Sequence, residues 1–446
     1  MSFKFGDMLG QRWRCELCGR EHAIPTKWVD LEPNALRRLP ERLKGEGWSG
    51  RVLLVADETT YLVAGERVKE ILAEAGFDIV EKIFPSPPQA TDECGIEVLS
   101  ASEGVSGVVA VGSGTVNDLA KWGAYGAGKP YLVIPTAASM NGYTSSIAAL
   151  SVHGVKRTLP ARPPLGVATE PDIVASAPCR MNSSGYADLQ SKAVADLDWR
   201  LSSLLLGGYY CPLPRMGVSS AERKLEGRLK GIRRSDPDAV ASLLDALIES
   251  GISMTVAGSS APASGGEHLI SHWLDMQAHR AGRCPAMHGE QVGIGTLVAS
   301  KIYEIWLSSS PEGWQPDPSA LQPPEERIAE FKGRYGEMAE EVLEEFRRKW
   351  LAPDEVKRLL DEMRRKWDHI RGMILESWSP PHRVRKNLET AGAPTGIDEI
   401  GVSEEEFREA VLHAREIRSR WTCLDIAYLV GILPDRIEEV TSPALP

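Results

Sequence analysis

Four of the nine histidines fall within one 21-residue stretch: His268, His272, His279 and His288. His268 and His272 are four residues apart in Gly266-Glu-His-Leu-Ile-Ser-His272, a spacing that puts both on one face of a helix. His288 opens a further helical run, and upstream Asp188 lies early in another, in Gly185-Tyr-Ala-Asp188. One aspartate with two histidines can hold a divalent ion and leave a coordination position open, as a Lewis-acid catalyst requires. Zinc, nickel and ferrous iron all accept such ligands, and ligand type alone does not choose among them. Isolated core or surface histidines are the competing reading.

A second pattern concerns phosphate. Gly112-Ser113-Gly114-Thr115-Val116-Asn117-Asp118 follows an apolar strand-like run and precedes a helical one. The glycines allow a sharp turn, and the helix N-terminus offers amides and partial positive charge to a phosphate. An ordinary strand-to-helix turn would look the same. Asp57 ends the first strand-like run, where a carboxylate can accept hydrogen bonds from a ribose and repel a 2′-phosphate, favouring NAD over NADP. It could equally cap a helix. A third pattern, Cys15-Glu-Leu-Cys18-Gly with His22 four residues on, has the form of a zinc knuckle with three local ligands. Either a distant fourth ligand completes it or it is a metal-free turn.

The elements that position these residues alternate. Residues 51–56, 106–111 and 130–134 read as buried strands, 77–80 as a candidate strand, and 64–75 and 115–125 as helices. Strand–turn–helix–strand alternation implies a parallel, doubly wound sheet with its ligand edge at the strand C-termini. Beyond about residue 171 helical periods dominate, at 183–206, 236–250 and 268–279, and the charges of 323–376 read as solvated helix faces. The expected domains are an N-terminal segment 1–45 carrying the cysteine pair, a nucleotide-binding α/β domain 46–172, and a helical metal- and substrate-binding domain 173–446, with a cleft between the last two.

Composition narrows the classes. With 42% hydrophobic and 25% charged residues the chain of 446 is globular. Its 51 Lys+Arg against 62 Asp+Glu give a net charge of −11, a poor basis for nucleic-acid binding. No uninterrupted apolar run approaches membrane-spanning length, so a membrane span is excluded on that ground. Seven scattered cysteines and an N-terminus without an apolar signal region fit a cytoplasmic protein.

Together, Gly112 to Asp118, Pro135-Thr-Ala-Ala-Ser-Met-Asn-Gly-Tyr-Thr-Ser145, Gly185 to Asp188, Ser264 to His272 and His288-Gly-Glu-Gln-Val-Gly293 resemble the sn-glycerol-1-phosphate dehydrogenases. These belong with glycerol dehydrogenases, iron-containing alcohol dehydrogenases and dehydroquinate synthases. The resemblance runs from about residue 50 to about residue 300. It implies a Rossmann-like parallel-sheet domain followed by an all-α domain, the dehydroquinate synthase-like fold, with the active site between them. It implies a nicotinamide nucleotide, NAD or NADP, lined by Gly114 to Asp118, Thr136, Ala137, Ala138 and Ser139 with Ser145 near it, to which the turn and strand-end patterns add Gly112 and Asp57. It implies Asp188, His268 and His288 as ligands of one divalent metal, zinc, nickel or iron. Asp188 would also touch the substrate, and His272 would contact it without binding the metal. The substrate class is a polyol or polyol phosphate interconverted with its ketone; a dehydroquinate synthase-like cyclase and a catalytically weak homologue are the alternatives. Where the family usually carries an aspartate that grips the substrate hydroxyl, this chain has Asn141, an amide without charge. Lys192 and Arg157 are candidate cations for a substrate phosphate; the expected partner is the small-molecule polyol or polyol phosphate, with no nucleic acid and no membrane span, and a homo-oligomer is compatible with the sequence.

Overall fold

A computed structural model describes residues 4–152 and 155–445. The chain divides into two compact units, Met1–Leu189 with Cys211–Ser260 and Thr390–Gly392, and Gln190–Tyr210 with Ala261–Glu389 and Ala393–Pro446.

The first unit is built on a six-stranded sheet. Its strands are β3 (Trp28–Leu31), β4 (Arg51–Asp57), β5 (Asp78–Phe84), β6 (Val108–Gly112), β7 (Tyr131–Pro135) and β10 (Gly166–Thr169), in the spatial order β3-β10-β7-β6-β4-β5. Every pairing is parallel. Residues 52–57 of β4 and the whole of β6 and β7 are buried, which is why these strands read as continuous apolar runs rather than alternating ones. The sequence reading found four of the six. It missed β3 and β10, each only four residues long, too short to establish a period. The sheet's edge strand therefore comes from the segment that the sequence set apart as an N-terminal extension. Two antiparallel hairpins accompany the sheet, β1 (Arg12–Arg14) with β2 (Glu21–Ala23), and β8 (Ile147–Val152) with β9 (Val155–Pro160).

Helices α1 (Glu66–Glu74), α2 (Asp92–Ala101) and α3 (Gly114–Gly126) connect the strands. The helical stretch expected over 183–206 is two helices, α4 (Cys179–Gln190) and one over Lys192–Leu206, separated at Ser191. Helices α5 (Leu213–Glu222) and α6 (Pro237–Ala257) also belong to this unit. By length and mean hydropathy α6 passes the test for a bilayer-crossing helix, contrary to the exclusion from uninterrupted runs, because Asp245 and Glu249 interrupt its apolar residues without lowering the average enough. It is a core helix, 78% of its apolar window being buried.

The second unit is helical. Helices α7 (Gly266–Arg280) and α8 (His288–Leu307) run through a core that includes Trp273, Ile294, Val298 and Trp306. A buried ion cluster centres on Glu416. Glu416 takes hydrogen bonds from Arg327, Arg334 and the Tyr335 hydroxyl. Burial alone would raise its carboxyl, but His413, Arg334 and Arg327 hold it down to about 2. A depressed folded-state pKa stabilises the fold above the ordinary carboxylate range, and that contribution is lost as pH falls from about 4.5 toward 2. Glu416→Gln removes the buried counter-charge of Arg327 and Arg334, leaving Arg327 only the more exposed Glu330, and is expected to cost about 3 kcal/mol in urea unfolding at pH 7, with a smaller deficit near pH 3.

Candidate active site

In the sheet order, the chain leaves β4 toward β5 on one side and returns to β6 on the other. The strands diverge in connectivity between β4 and β6, the place where open parallel sheets bind ligands at their C-terminal ends. Asp57 ends β4 and Gly112 ends β6, and the pairing of Val55 with Ala110 puts both at that edge. Gly114 opens α3, and Ser113 precedes it without a side-chain capping bond. The first amides of a 13-residue helix are thus left to other partners at the strand edge, as an anion-binding terminus requires. Gly114 and Thr115 are half-buried there, while Val116 and Asn117 pack inward.

Asp57 is already employed. Its Oδ1 accepts the amides of Thr59 and Thr60, the capping role that the sequence also allowed. Asp118 too has structural partners, taking the Asn117 amide on Oδ1 and the Ala149 backbone amide on Oδ2. Lys121, one turn on, is fully buried and donates to the Gly142 and Ile147 carbonyls at 2.6 and 2.9 Å and to the Ser145 hydroxyl at 3.2 Å. Burial lowers its pKa, opposed by the charge of Asp118. The Asp118–Lys121 pair therefore pins the loop that ends at Ser145. The sequence reading missed Lys121; its position three residues after Asp118 on a helix was the available signal. Asn117 Oδ1 is buried with no hydrogen-bond partner among the described residues, an orphaned acceptor beside the turn.

Loop 136–145 follows β7. Thr136 donates its amide to the Gly112 carbonyl, Ala137 accepts the Tyr143 hydroxyl at 2.6 Å, and the Ala138 amide donates to Asn182 on α4 at 2.8 Å. Thr136, Ala137, Ala138 and Ser145 are buried and Ser139 is half-buried. Helix α4 approaches so closely that a Cβ at Gly185 would lie 1.8 Å from the Ala138 carbonyl oxygen. Only glycine permits this contact, which seats the loop on α4 beside Asp188. The Asn141 amide nitrogen of the backbone donates to Asp188 Oδ2 at 3.2 Å, and its side-chain Nδ2 donates to the Ser250 hydroxyl at 3.2 Å. Asp188 itself is fully buried. Two expected substrate-contacting residues, Asn141 and Asp188, are thus joined; Ser250, on α6, had no local sequence signal.

In the helical unit, α7 and α8 bring three histidines together. Ring centroids of His268 and His288 are 5.1 Å apart, those of His272 and His288 are 5.7 Å apart and stacked, and those of His268 and His272 are 6.1 Å apart. The helices can approach because α8 carries Gly295, where a Cβ would sit 2.6 Å from the Glu267 carbonyl oxygen. His268 Nδ1 lies 2.8 Å from Glu267 Oε1, which also accepts the Gly265 amide. A carboxylate at that distance keeps the proton on Nδ1 and turns the Nε2 lone pair outward. Ser271 donates its hydroxyl proton to Gln291 and so accepts from His288 Nδ1 at 3.3 Å, fixing the same tautomer there. Ligand atoms of His272, Asp275 and His288 also lie within 4.8 Å of one another. Glu267, missed by the sequence reading, stands next to His268 in the chain and is fully buried.

A buried charge network backs this face. Asp198 accepts the Gly266 and Cys423 amides and the Tyr303 hydroxyl. Burial, with Glu267 adding repulsion, pushes its carboxyl up to about 7. Burial lowers the Arg420 guanidinium to about 10, against the attraction of Glu267 and Asp198. Of the two cations considered for a phosphate, Lys192 is buried and donates to the Ser191 hydroxyl and the Ala263 carbonyl, and Arg157 is half-buried on β9.

The profile of iron-containing alcohol dehydrogenases matches residues 30–178. A glycerol-1-phosphate dehydrogenase [NAD(P)+] of Halalkalibacterium halodurans is 33% identical over 317 residues, covering 69% of this chain and 78% of that protein. One of Bacillus licheniformis is 29% identical over 427 residues, covering 94% and 93%. Among solved structures, glycerol dehydrogenase from Schizosaccharomyces pombe superposes with a TM-score of 0.60 at 17% identity, over 94% of this chain and 91% of that one. This likeness extends the shared fold, a Rossmann-like domain with an all-α domain, over nearly the whole chain.

Proposed function

Because this chain belongs to the glycerol-1-phosphate dehydrogenase family, we propose that it interconverts glycerol 1-phosphate and dihydroxyacetone phosphate. It is an NAD(P)-dependent oxidoreductase of the polyol-phosphate class. The observation that carries the reading is the pair of histidines on α7 and α8 whose Nδ1 atoms meet Glu267 Oε1 and Ser271 Oγ, an arrangement that leaves both Nε2 atoms to serve a cation.

The donor chemistry fits a single divalent metal: two neutral imidazoles and one carboxylate, with Asp188, His268 and His288 as the ligands. His268, whose tautomer is set by a carboxylate, is a better ligand than the alternative set of His272 and Asp275 with His288 would use. The orphaned Asn117 Oδ1 and the uncapped start of α3 fit a dinucleotide at the β4–β6 edge. Residues 46–172 accordingly serve the nucleotide and, through Asn141, the substrate hydroxyl, and residues from 173 onward the metal and the rest of the substrate. When bound, the metal supplies a Lewis acid for the substrate oxygen and the nicotinamide takes or returns the hydride.

The chain's own groups do the rest. Amides of Gly114 to Asp118 orient the pyrophosphate, with Gly112 making the turn, and loop 136–139 and Ser145 line the nucleotide. Asp57 Oδ2 accepts from the ribose while Oδ1 caps the following turn, and its negative charge favours NAD. Asn141 spends Nδ2 on Ser250, so its carbonyl oxygen is the atom that accepts a substrate hydroxyl. An aspartate there would add a charge; the amide gives a hydrogen bond of about half the strength. His272 takes the released hydroxyl proton toward solvent. Glu267 is a positioning residue for His268. Glu267→Gln keeps the shape and loses the charge, and is expected to weaken metal binding about 10–100-fold in a chelator competition, with NAD affinity unchanged.

The test is NAD(P)H absorbance with each glycerol phosphate enantiomer and with dihydroxyacetone phosphate, in the presence of zinc, nickel or iron. Reduction of the ketone and oxidation of glycerol 1-phosphate alone are expected. Activity on unphosphorylated polyols only, or turnover without net nucleotide change as in a cyclase, would contradict it.

A further inference from the structure

The cysteine pair near the N-terminus acquires its missing partner in three dimensions. Hairpin β1–β2 pairs Trp13 with His22 and Arg14 with Glu21, and the turn is closed by the Cys15 amide on the Arg20 carbonyl. This places Cys15, Cys18 and His22 at one end of the hairpin. Cys211, 196 residues beyond Cys15 and two residues before α5, meets them there. Ligand atoms of all four lie within 4.8 Å of one another. We propose that Cys15, Cys18, His22 and Cys211 form a structural zinc site, separate from the metal of the oxidoreductase chemistry.

The distances match a metal centre rather than a disulfide or a set of thiol hydrogen bonds. Zinc–sulfur bonds of about 2.3 Å and zinc–nitrogen bonds of about 2.0–2.1 Å, at tetrahedral angles, put two sulfurs about 3.8 Å apart and a sulfur about 3.5 Å from a nitrogen. Cys15 Sγ and Cys211 Sγ are 3.9 Å apart. His22 Nε2 is 3.2 Å from Cys18 Sγ and 3.6 Å from Cys211 Sγ. A disulfide needs sulfurs at about 2.05 Å, so Cys15 and Cys211 are not one. Cys15, Cys211 and His22 are buried, and Cys18 is half-buried. Thiols are weak hydrogen-bonding groups, so three of them around an imidazole give little to offset the desolvation of the ring; thiolates on zinc do. The His22 ring also hydrogen-bonds the Val256 backbone, the outer-sphere contact that orients a ligating imidazole. Three cysteines and one histidine close the tetrahedron and leave no open position, which marks the site as structural.

The site ties the N-terminal hairpin to the start of α5 and, through Val256, to α6. Helix α6 also carries Ser250, the partner of Asn141. Zinc at the knuckle therefore braces one wall of loop 136–145 from behind.

Cobalt substitution of the full-length protein tests this. Thiolate ligands give cobalt(II) an intense near-ultraviolet charge-transfer band, and an aspartate–histidine site has no sulfur and gives none. Wild-type and His268→Ala proteins are expected to show the band equally, and Cys18→Ser to lose it together with one equivalent of zinc by elemental analysis. Should Cys18→Ser fail to fold, the wild-type spectrum and a sulfur shell in zinc X-ray absorption decide the matter alone. A cobalt-loaded wild type without the band, a zinc spectrum without sulfur, or a folded Cys18→Ser variant with undiminished zinc overturns the proposal.

Discussion

Replacing His268 by alanine is expected to lower kcat/KM by about a thousandfold or more, equivalent to about 4 kcal/mol of lost transition-state stabilisation. NAD affinity in calorimetric titration is expected to stay within a few-fold of wild type. Metal and nucleotide are held by different groups of the chain under this proposal. His268 sits on α7 with its Nδ1 2.8 Å from Glu267 Oε1, which makes Nε2 the atom proposed to hold the cation. The groups proposed to hold the nucleotide belong to the β4–β6 edge and the start of α3. Loss of turnover with nucleotide binding intact bears out both halves. Retained turnover removes His268 from the ligand set, and the cluster of His272, Asp275 and His288 becomes the site to test.

Gly295→Ala is expected to act at a distance from any ligand. The added methyl would lie 2.6 Å from the Glu267 carbonyl oxygen and 3.1 Å from its Cα. Both are backbone atoms that cannot swing aside, so α8 must retreat from α7. Overpacking of this kind costs about 1–3 kcal/mol. The retreat also separates His268 from His288, whose ring centroids are now 5.1 Å apart. A lower unfolding midpoint and metal affinity reduced at least tenfold are expected together. Gly372→Ala, where the added carbon meets nothing within 4 Å, is the control and should leave both unchanged. A folded Gly295→Ala protein with wild-type metal affinity would show that the helix spacing does not set the site.

Features with a local period were legible before the structure. Runs 51–56, 106–111 and 130–134 revealed β4, β6 and β7 because burial on both faces leaves only apolar side chains. His268 and His272 showed their shared face because 3.6 residues make one turn. What stayed hidden depends on residues distant in sequence. Ser250 meets Asn141 across 109 positions, and Cys211 meets Cys15 across 196. Neither serine nor a lone cysteine advertises such a partner. Strands β3 and β10 pair with each other but are too short to declare themselves. The two compact units interleave along the chain for the same reason, since segment 211–260 joins the sheet unit through contacts that no local pattern encodes. Asp57 illustrates the opposite limit. The sequence allowed both a cap and a ribose acceptor, and the structure gives its Oδ1 to the cap.

The most direct measurement of the central claim is NADH oxidation by dihydroxyacetone phosphate on protein stripped of metal and then reloaded. Stripped protein should be inactive while still binding NADH, and one equivalent of divalent metal per chain beyond that held by the cysteine knuckle should restore the absorbance decay in wild type but not in Asp188→Asn. Undiminished decay in the stripped protein, or full restoration of the Asp188→Asn variant, would contradict it.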